Sequence, residues 1–185
     1  DVYKRQVLLG DYPTSEPQLQ LRLPTERYYE EEGRAELTPR DFGILMHRVF
    51  ENAATTDEIY MAIEAMTQDG VLDEKEAPRL RELVEKALAD PVTAEWFGGR
   101  WQVVRNENEI ILPGSGTTRR PDRVMTDGER AVVVDYKFGD RETARHRKQI
   151  REYLRLLRQM GYTRTEGYLW YVRLGRTERV EEKED

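Results

Sequence analysis

The stretch Ala131-Val132-Val133-Val134-Asp135-Tyr136-Lys137 decides how this chain is read. Its apolar run predicts a strand, and that strand ends on an acid and a base two positions apart. Side chains alternate along a strand, so Asp135 and Lys137 share one face at its end. Upstream, Thr126-Asp127-Gly128-Glu129 is a hairpin turn signal, and before it Arg120-Pro121-Asp122-Arg123 carries a second acid. The hairpin brings Asp122 towards Asp135. Two carboxylates converging at a sheet edge repel each other unless a cation lies between them, and a divalent ion removes that conflict. A lysine ammonium beside such a centre can orient or deprotonate a water for attack on phosphorus and offset charge in the transition state. An Asp–Lys pair at a solvated strand end is also common as mere structure; Asp122 and the valine run favour the chemical reading.

Working outwards, Thr38-Pro39-Arg40-Asp41 has the form of a helix start, with Thr38 as N-cap and Pro39 at the first position. Phe42, Leu45, Met46, Val49, Phe50 and Ala53 follow at helical spacing, so residues 39–54 are expected to form an amphipathic helix. Further helices are expected over 57–67 and 74–89, closed by Asp69-Gly70 and Asp90-Pro91. Strands are expected over 101–105, 109–112, 118–125 and 131–137, with a second hairpin turn at Pro113-Gly114-Ser115-Gly116. Residues 141–160 then predict a long helix with Ile150, Tyr153, Leu154 and Leu157 on its apolar stripe, and 165–174 a last strand. Leu19–Leu23 reads as a short strand or arm. The boundaries are an N-terminal arm or linker over 1–37, one domain over 38–174 and a charged tail over 175–185, of which 180–185 reads as disordered. Helices, antiparallel strands, a long helix and a final strand together predict an α/β fold around one central sheet.

The 185 residues include no cysteine, which excludes disulfides, thiolate zinc sites and iron–sulfur clusters. With two histidines in all, a metal site must rest mainly on carboxylates, which suits magnesium, with manganese as the other choice. No apolar run approaches the roughly 20 residues that span a bilayer, so a soluble, cytoplasmic protein with no membrane partner is expected. A net charge of −6 opposes binding to nucleic acid, but the charge is polarised. Residues 57–95 hold eleven Asp/Glu against four Lys/Arg, whereas 118–151 hold ten Lys/Arg against six Asp/Glu. The segment with Arg141, Arg145, His146, Arg147, Lys148 and Arg151 is the best candidate surface for a DNA backbone, in sequence-independent, salt-sensitive contacts. Trp96, Phe97, Trp101 and Trp170 are expected in the core rather than stacked on bases.

The pattern Pro121-Asp122, hairpin, Asp135-Tyr136-Lys137 resembles the signature of the PD-(D/E)XK nuclease superfamily. It is most similar to one branch, the C-terminal nuclease domain of RecB- and AddA-type helicase–nucleases, whose motors are of the UvrD/Rep type. Gly43 and His47 in Phe-Gly-Ile-Leu-Met-His-Arg-Val-Phe-Glu, Glu107, the block Arg120-Pro121-Asp122-Arg123-Val124, and Gln149 with Tyr153 match that branch in order, from about Thr38 to Leu174. The resemblance implies a restriction-endonuclease-like core, a mixed sheet flanked by helices in αβββαβ order, with additional N-terminal helices. It implies that His47, Asp122, Asp135 and the Tyr136 carbonyl hold the metal, that Asp122, Asp135 and Lys137 are catalytic, and that Gln149 and Tyr153 contact DNA or steady the site. Those two are four apart and share a helix face. Arg120, Arg145 and Lys148 are the accompanying DNA-contact candidates. Glu107 competes with Glu109 for the family's glutamate, and spacing to Ile110 favours Glu107. His146 is assigned to the basic surface and Glu51 to solvent.

Relatives stapled by a four-cysteine cluster, the Cas4-like and AddB-type proteins, do not fit a chain without cysteine. No Gly-x-x-x-x-Gly-Lys-Ser/Thr loop occurs, so a motor would have to lie upstream in a longer polypeptide; the chain starts at Asp1 without Met. The expected activity is metal-dependent exonucleolytic cleavage of linear DNA, preferentially single-stranded, in break processing and recombinational repair, with an AddB- or RecC-type partner subunit. Two alternatives stay open: a stand-alone nuclease of phage-exonuclease or restriction type, and a non-catalytic DNA-binding or docking module. The His47 helix and the Gln149/Tyr153 pair weigh against the first, and the intact Asp122, Asp135 and Lys137 against the second.

Overall fold

The computed structural model describes residues 39–111, 118–139 and 143–181. The expected strand at 19–23, the Thr38 cap, the Pro113–Gly116 turn and Arg141 lie outside them. Four helices come first: α1 (Pro39–Glu51), α2 (Thr56–Gln68), α3 (Ala77–Leu88) and the short α4 (Pro91–Trp96). Strands β1 (Val103–Asn106), β2 (Ile110–Ile111), β3 (Thr118–Arg119), β4 (Arg123–Asp127) and β5 (Arg130–Lys137) follow. Helix α5 (Ala144–Gln159) then leads to β6 (Arg164–Tyr171), a single 3₁₀ turn (Val172–Leu174) and β7 (Arg176–Arg179).

The main sheet has the order β1-β4-β5-β6-β7, and β2 and β3 form a separate two-stranded ribbon. Every pairing is antiparallel except β5 with β6. A parallel pair needs a crossover, and α5 supplies it. Helices cover both faces, which explains why β5 reads as a continuous apolar run rather than an alternating one. Val132, Val134 and Tyr136 pack with Trp170 among the residues of α1 to α4. Ala131 and Val133 pack with Ile150, Tyr153, Leu154 and Leu157 of α5. The sheet is mixed, central and flanked by helices, a restriction-endonuclease-like fold.

Two glycines set distances between layers. A Cβ on Gly43 would lie 3.2 Å from the Phe138 Cβ, so the bare backbone lets α1 approach the residue that follows β5. On Gly167 a Cβ would overlap the Ile150 Cγ2, so the bare backbone at this position lets α5 lie close on the sheet.

Three sequence expectations need correction. The expected strand 118–125 is two strands in different sheets. Pro121 lacks the N–H a ladder requires and breaks it, and Asp122 leaves the sheet pattern at that point. Asp90-Pro91 closes α3 but also opens α4, with the Asp90 carboxylate accepting from the Val92 N–H at 2.8 Å. The segment after Leu174 is structured as far as its buried Val180: Arg176–Arg179 pairs with β6, and the Val180 N–H donates to the Gly167 carbonyl at 2.8 Å. This strand is polar because it lies at an edge, where only one side is covered.

Candidate active site

The site forms where the β4–β5 ladder runs out. Arg123 pairs with Val134 across the two strands, and continuing that register by one residue sets Asp122 opposite Asp135. In place of a ladder carbonyl, the Asp122 carboxylate itself accepts the Tyr136 N–H at 2.5 Å. On the other side, the Asp122 carbonyl accepts the Glu107 N–H at 3.0 Å. Glu107 has φ +51°, the one positive value for a non-glycine among the described residues. Backbone in that region is unfavourable for a side-chain-bearing residue. Here it turns the chain out of β1 and carries the glutamate to the site.

Arg123 fixes this geometry from beneath. Its side chain is fully buried. One terminal nitrogen donates to the Ala53 carbonyl at 2.7 Å and to the Asn106 side-chain oxygen at 3.1 Å, and the other donates at 2.7 Å to the carbonyls of Ala54 and Trp96. The guanidinium also lies over the Phe97 ring, 4.0 Å from its centroid. One residue thereby ties β4 to the ends of α1 and α4 and anchors the backbone that bears Asp122. Sequence reading passed over this role; the detectable signal was a lone arginine heading an otherwise apolar strand segment.

His47 projects from α1 towards Glu107, with its Nδ1 3.5 Å from a Glu107 carboxylate oxygen, and packs edge-on against Phe138. Glu107 also pairs with Arg120 at 2.9 Å. Candidate ligand atoms of His47, Glu107 and Asp122 all lie within 4.8 Å of one another. Oxygen ligands about 2.1 Å from a magnesium ion stand at most about 4.2 Å apart, so a small inward movement would let these three share one ion. Burial lowers the His47 pKa and favours the neutral imidazole, the form that can ligate a metal. Burial, then the charge of Asp135, pushes the Asp122 carboxyl up to about 7. Buried, mutually repelling carboxylates are the arrangement that a divalent cation stabilises. The donor set therefore fits a hard or borderline divalent metal.

Asp135 is almost completely buried on the α5 side of the sheet. One of its carboxylate oxygens is ion-paired with the Lys137 ammonium. The other faces the Gln149 amide at 3.4 Å, and that amide also donates to the Tyr153 hydroxyl at 2.9 Å. Tyr153 in turn donates to the Arg120 carbonyl at 3.2 Å. Gln149 and Tyr153 thus link α5 to Asp135 and to the chain just before Asp122. The structure gathers His47, Glu107, Asp122, Asp135, Lys137, Gln149, Tyr153 and Arg120 at one end of the sheet. Tyr136 offers the site its main chain, and its ring is buried in the core with its centroid 6.4 Å from that of the His47 ring. Glu109 and Glu51 are exposed.

The expected basic surface is narrower than the sequence suggests. Arg119 pairs with Glu152 at 3.2 Å, Arg147 pairs with Glu178, and Arg151 donates to the Glu181 carbonyl. Arg145 and Lys148 are exposed and have no ion-pair partner among the described residues. Trp96, Phe97 and Trp170 are core residues, and Trp101 donates to the Glu95 carbonyl beneath the Arg130 guanidinium.

Residues 18–185 match the PD-(D/E)XK nuclease superfamily, and the chain belongs to it. No curated protein matches the chain. Membership makes this a nuclease domain of a class that uses divalent metals and acts on DNA. No helix among the described residues is long and apolar enough to cross a membrane.

Proposed function

We propose that this domain hydrolyses phosphodiester bonds in DNA with magnesium as its working ion, manganese being able to substitute. The observation that carries the reading is the convergence of Asp122, Asp135 and Lys137 at the end of β5, with His47 and Glu107 alongside. His47, Asp122 and Asp135 would hold the ion together with the Tyr136 carbonyl, and the position of Glu107 supports adding it to the set. The bound ion would supply Lewis-acid polarisation of the phosphate and lower the pKa of the attacking water. Lys137, as the ammonium paired with Asp135, would orient that water and offset negative charge on the phosphate as the new P–O bond forms and the P–O bond to the leaving sugar oxygen breaks. The Gln149 amide holds Asp135, and Tyr153 ties α5 to the Arg120 segment, so the two acids keep their relative positions during attack. Arg145, Lys148 and Arg120 offer cations for the phosphates of the strand.

Within this reading, the resemblance of His47, Gln149 and Tyr153 to the RecB/AddA branch supports an exonuclease acting on single strands. Such a domain would be fed by a helicase in the same polypeptide, working in the cytoplasm in double-strand-break processing and recombinational repair beside an AddB- or RecC-type subunit. A stand-alone nuclease would use the same site residues. The domain would span 38–174, with an arm before it and a tail after it, and β7 argues for extending it to Val180.

The test incubates purified protein with labelled linear single- and double-stranded DNA, with magnesium or with EDTA. Wild type should cleave only with the ion, and Asp135→Ala and Lys137→Ala should each lose at least about 100-fold in rate. Equal cleavage by all three proteins would falsify the assignment. Calorimetry on His47→Ala should show weaker ion binding with an unchanged circular dichroism spectrum. Unchanged affinity would make His47 a packing residue against Phe138.

A further inference from the structure

His146 lies in the first turn of α5, three residues before Gln149, and so shares the helix face that meets Asp135. Besides burial, the influences on its ring are led by the charges of Lys137 and Asp135, ahead of its own chain neighbours Arg145 and Arg147. That helix face and those charges set the ring towards Lys137 and Asp135. Its Nδ1 is shut off from solvent and has no hydrogen-bond partner among the described residues. An imidazole nitrogen buried without a partner is unfavourable, because it has lost water and gained nothing in exchange. Burial also favours the neutral ring, which leaves one nitrogen as a lone-pair acceptor.

Lys137 carries three N–H donors and in this structure spends its charge on Asp135. Once a divalent ion engages Asp135, that ion pair weakens and the ammonium needs another acceptor. We propose that His146 is a positioning residue: its Nδ1 accepts an N–H from Lys137 when Asp135 turns to the metal, and so holds the ammonium towards the substrate. This rests on Lys137 being the group that orients the attacking water. The same contact explains why the first turn of α5 places an imidazole between two cations yet turns it inwards.

The protein has two histidines, so its imidazole nitrogens are readily followed by ¹⁵N NMR and assigned with His47→Ala. Adding magnesium without DNA should move the His146 Nδ1 resonance from that of a free acceptor towards that of a hydrogen-bonded one. The shift should vanish in Lys137→Met. In cleavage assays His146→Ala should lower kcat by roughly 10- to 100-fold, the range a small misplacement of a reacting group produces, with KM and magnesium affinity unchanged. His146→Asn, whose side-chain oxygen reaches the Nδ1 position, should recover most of the rate. His146→Gln, which reaches the Nε2 position, should not. A shift that persists in Lys137→Met, wild-type kcat in His146→Ala, or equal behaviour of Asn and Gln overturns the inference. A wild type that shows the shift but never cleaves refutes the nuclease reading and leaves the contact standing; cleavage without the shift does the reverse.

Discussion

Arg123 shows how one side chain can carry both stability and site geometry. A guanidinium is costly to bury, and it is stable here because its terminal nitrogens have four acceptors and a ring face lies beneath it. Arg123→Met keeps length and volume but leaves the carbonyls of Ala53, Ala54 and Trp96 without this donor. The expected loss is about 3 kcal/mol or more in urea unfolding, a fall in Tm of roughly 6–12 °C for a chain of this size. Arg123→Lys should recover less than half of it, since an ammonium cannot reproduce the planar fork. A loss below about 1 kcal/mol would mean that water satisfies those carbonyls and that Arg123 is not the anchor. At this scale the sequence was only partly legible. Asp122, Asp135 and Lys137 could be read because strand alternation and one hairpin determine their meeting. Glu107 could be placed only weakly, because a left-handed backbone turn brings it to the site, and no spacing rule encodes that. Arg123 was missed because its partners are main-chain carbonyls of segments far away in sequence.

Elements differed in legibility according to how many of their faces are covered. β5 and α5 stood out, the first because both its faces are buried, the second because an apolar stripe runs its length. The last strand, β7, was invisible as Arg-Thr-Glu-Arg, since an edge strand holds its place through charge pairs that look like solvated tail. Glu166 of β6 shows those pairs at work. It accepts from the Tyr168 hydroxyl and the Arg130 guanidinium, each at 2.9 Å, with Arg179 of β7 at 3.8 Å and Arg130 reaching on to Glu95 of α4. Burial alone would raise its pKa, but these hydrogen bonds and charges outweigh burial and hold it below the usual glutamate value. The unfolded chain therefore takes up its proton first as pH falls. The stabilisation is complete above about pH 4.5 and is lost as pH drops through the lower folded value. Glu166→Gln should cost about 1 kcal/mol at pH 7, solvent screening keeping it small. It should also flatten the loss of stability between roughly pH 5 and pH 3. An acid limb identical to wild type in urea titrations would place the acid sensitivity elsewhere.

At the scale of the whole molecule, the polarised charge of the sequence proved to be mostly internal. Of the cations between 118 and 151, Arg119, Arg120, Arg123, Arg130, Lys137, Arg147 and Arg151 are engaged by protein groups. Arg145 and Lys148 stand exposed on α5, which also carries Gln149 and Tyr153 to the site. A net charge of −6 repels a polyanion at long range, so binding must depend on a few local contacts near the cut. Each phosphate neutralised on a single strand contributes about −0.7 to the slope of log K against log salt. Replacing Arg145 and Lys148 together with alanine should therefore make that slope shallower by about 1.4. Affinity for a labelled single strand should weaken similarly whatever its sequence, while magnesium affinity stays unchanged. Fluorescence anisotropy across a salt series, in an Asp135→Asn background to prevent cleavage, measures both quantities. An unchanged slope would mean that the strand avoids α5 and approaches by way of Arg120 and the β2–β3 ribbon, and the polarity read from the sequence would then have no bearing on substrate binding.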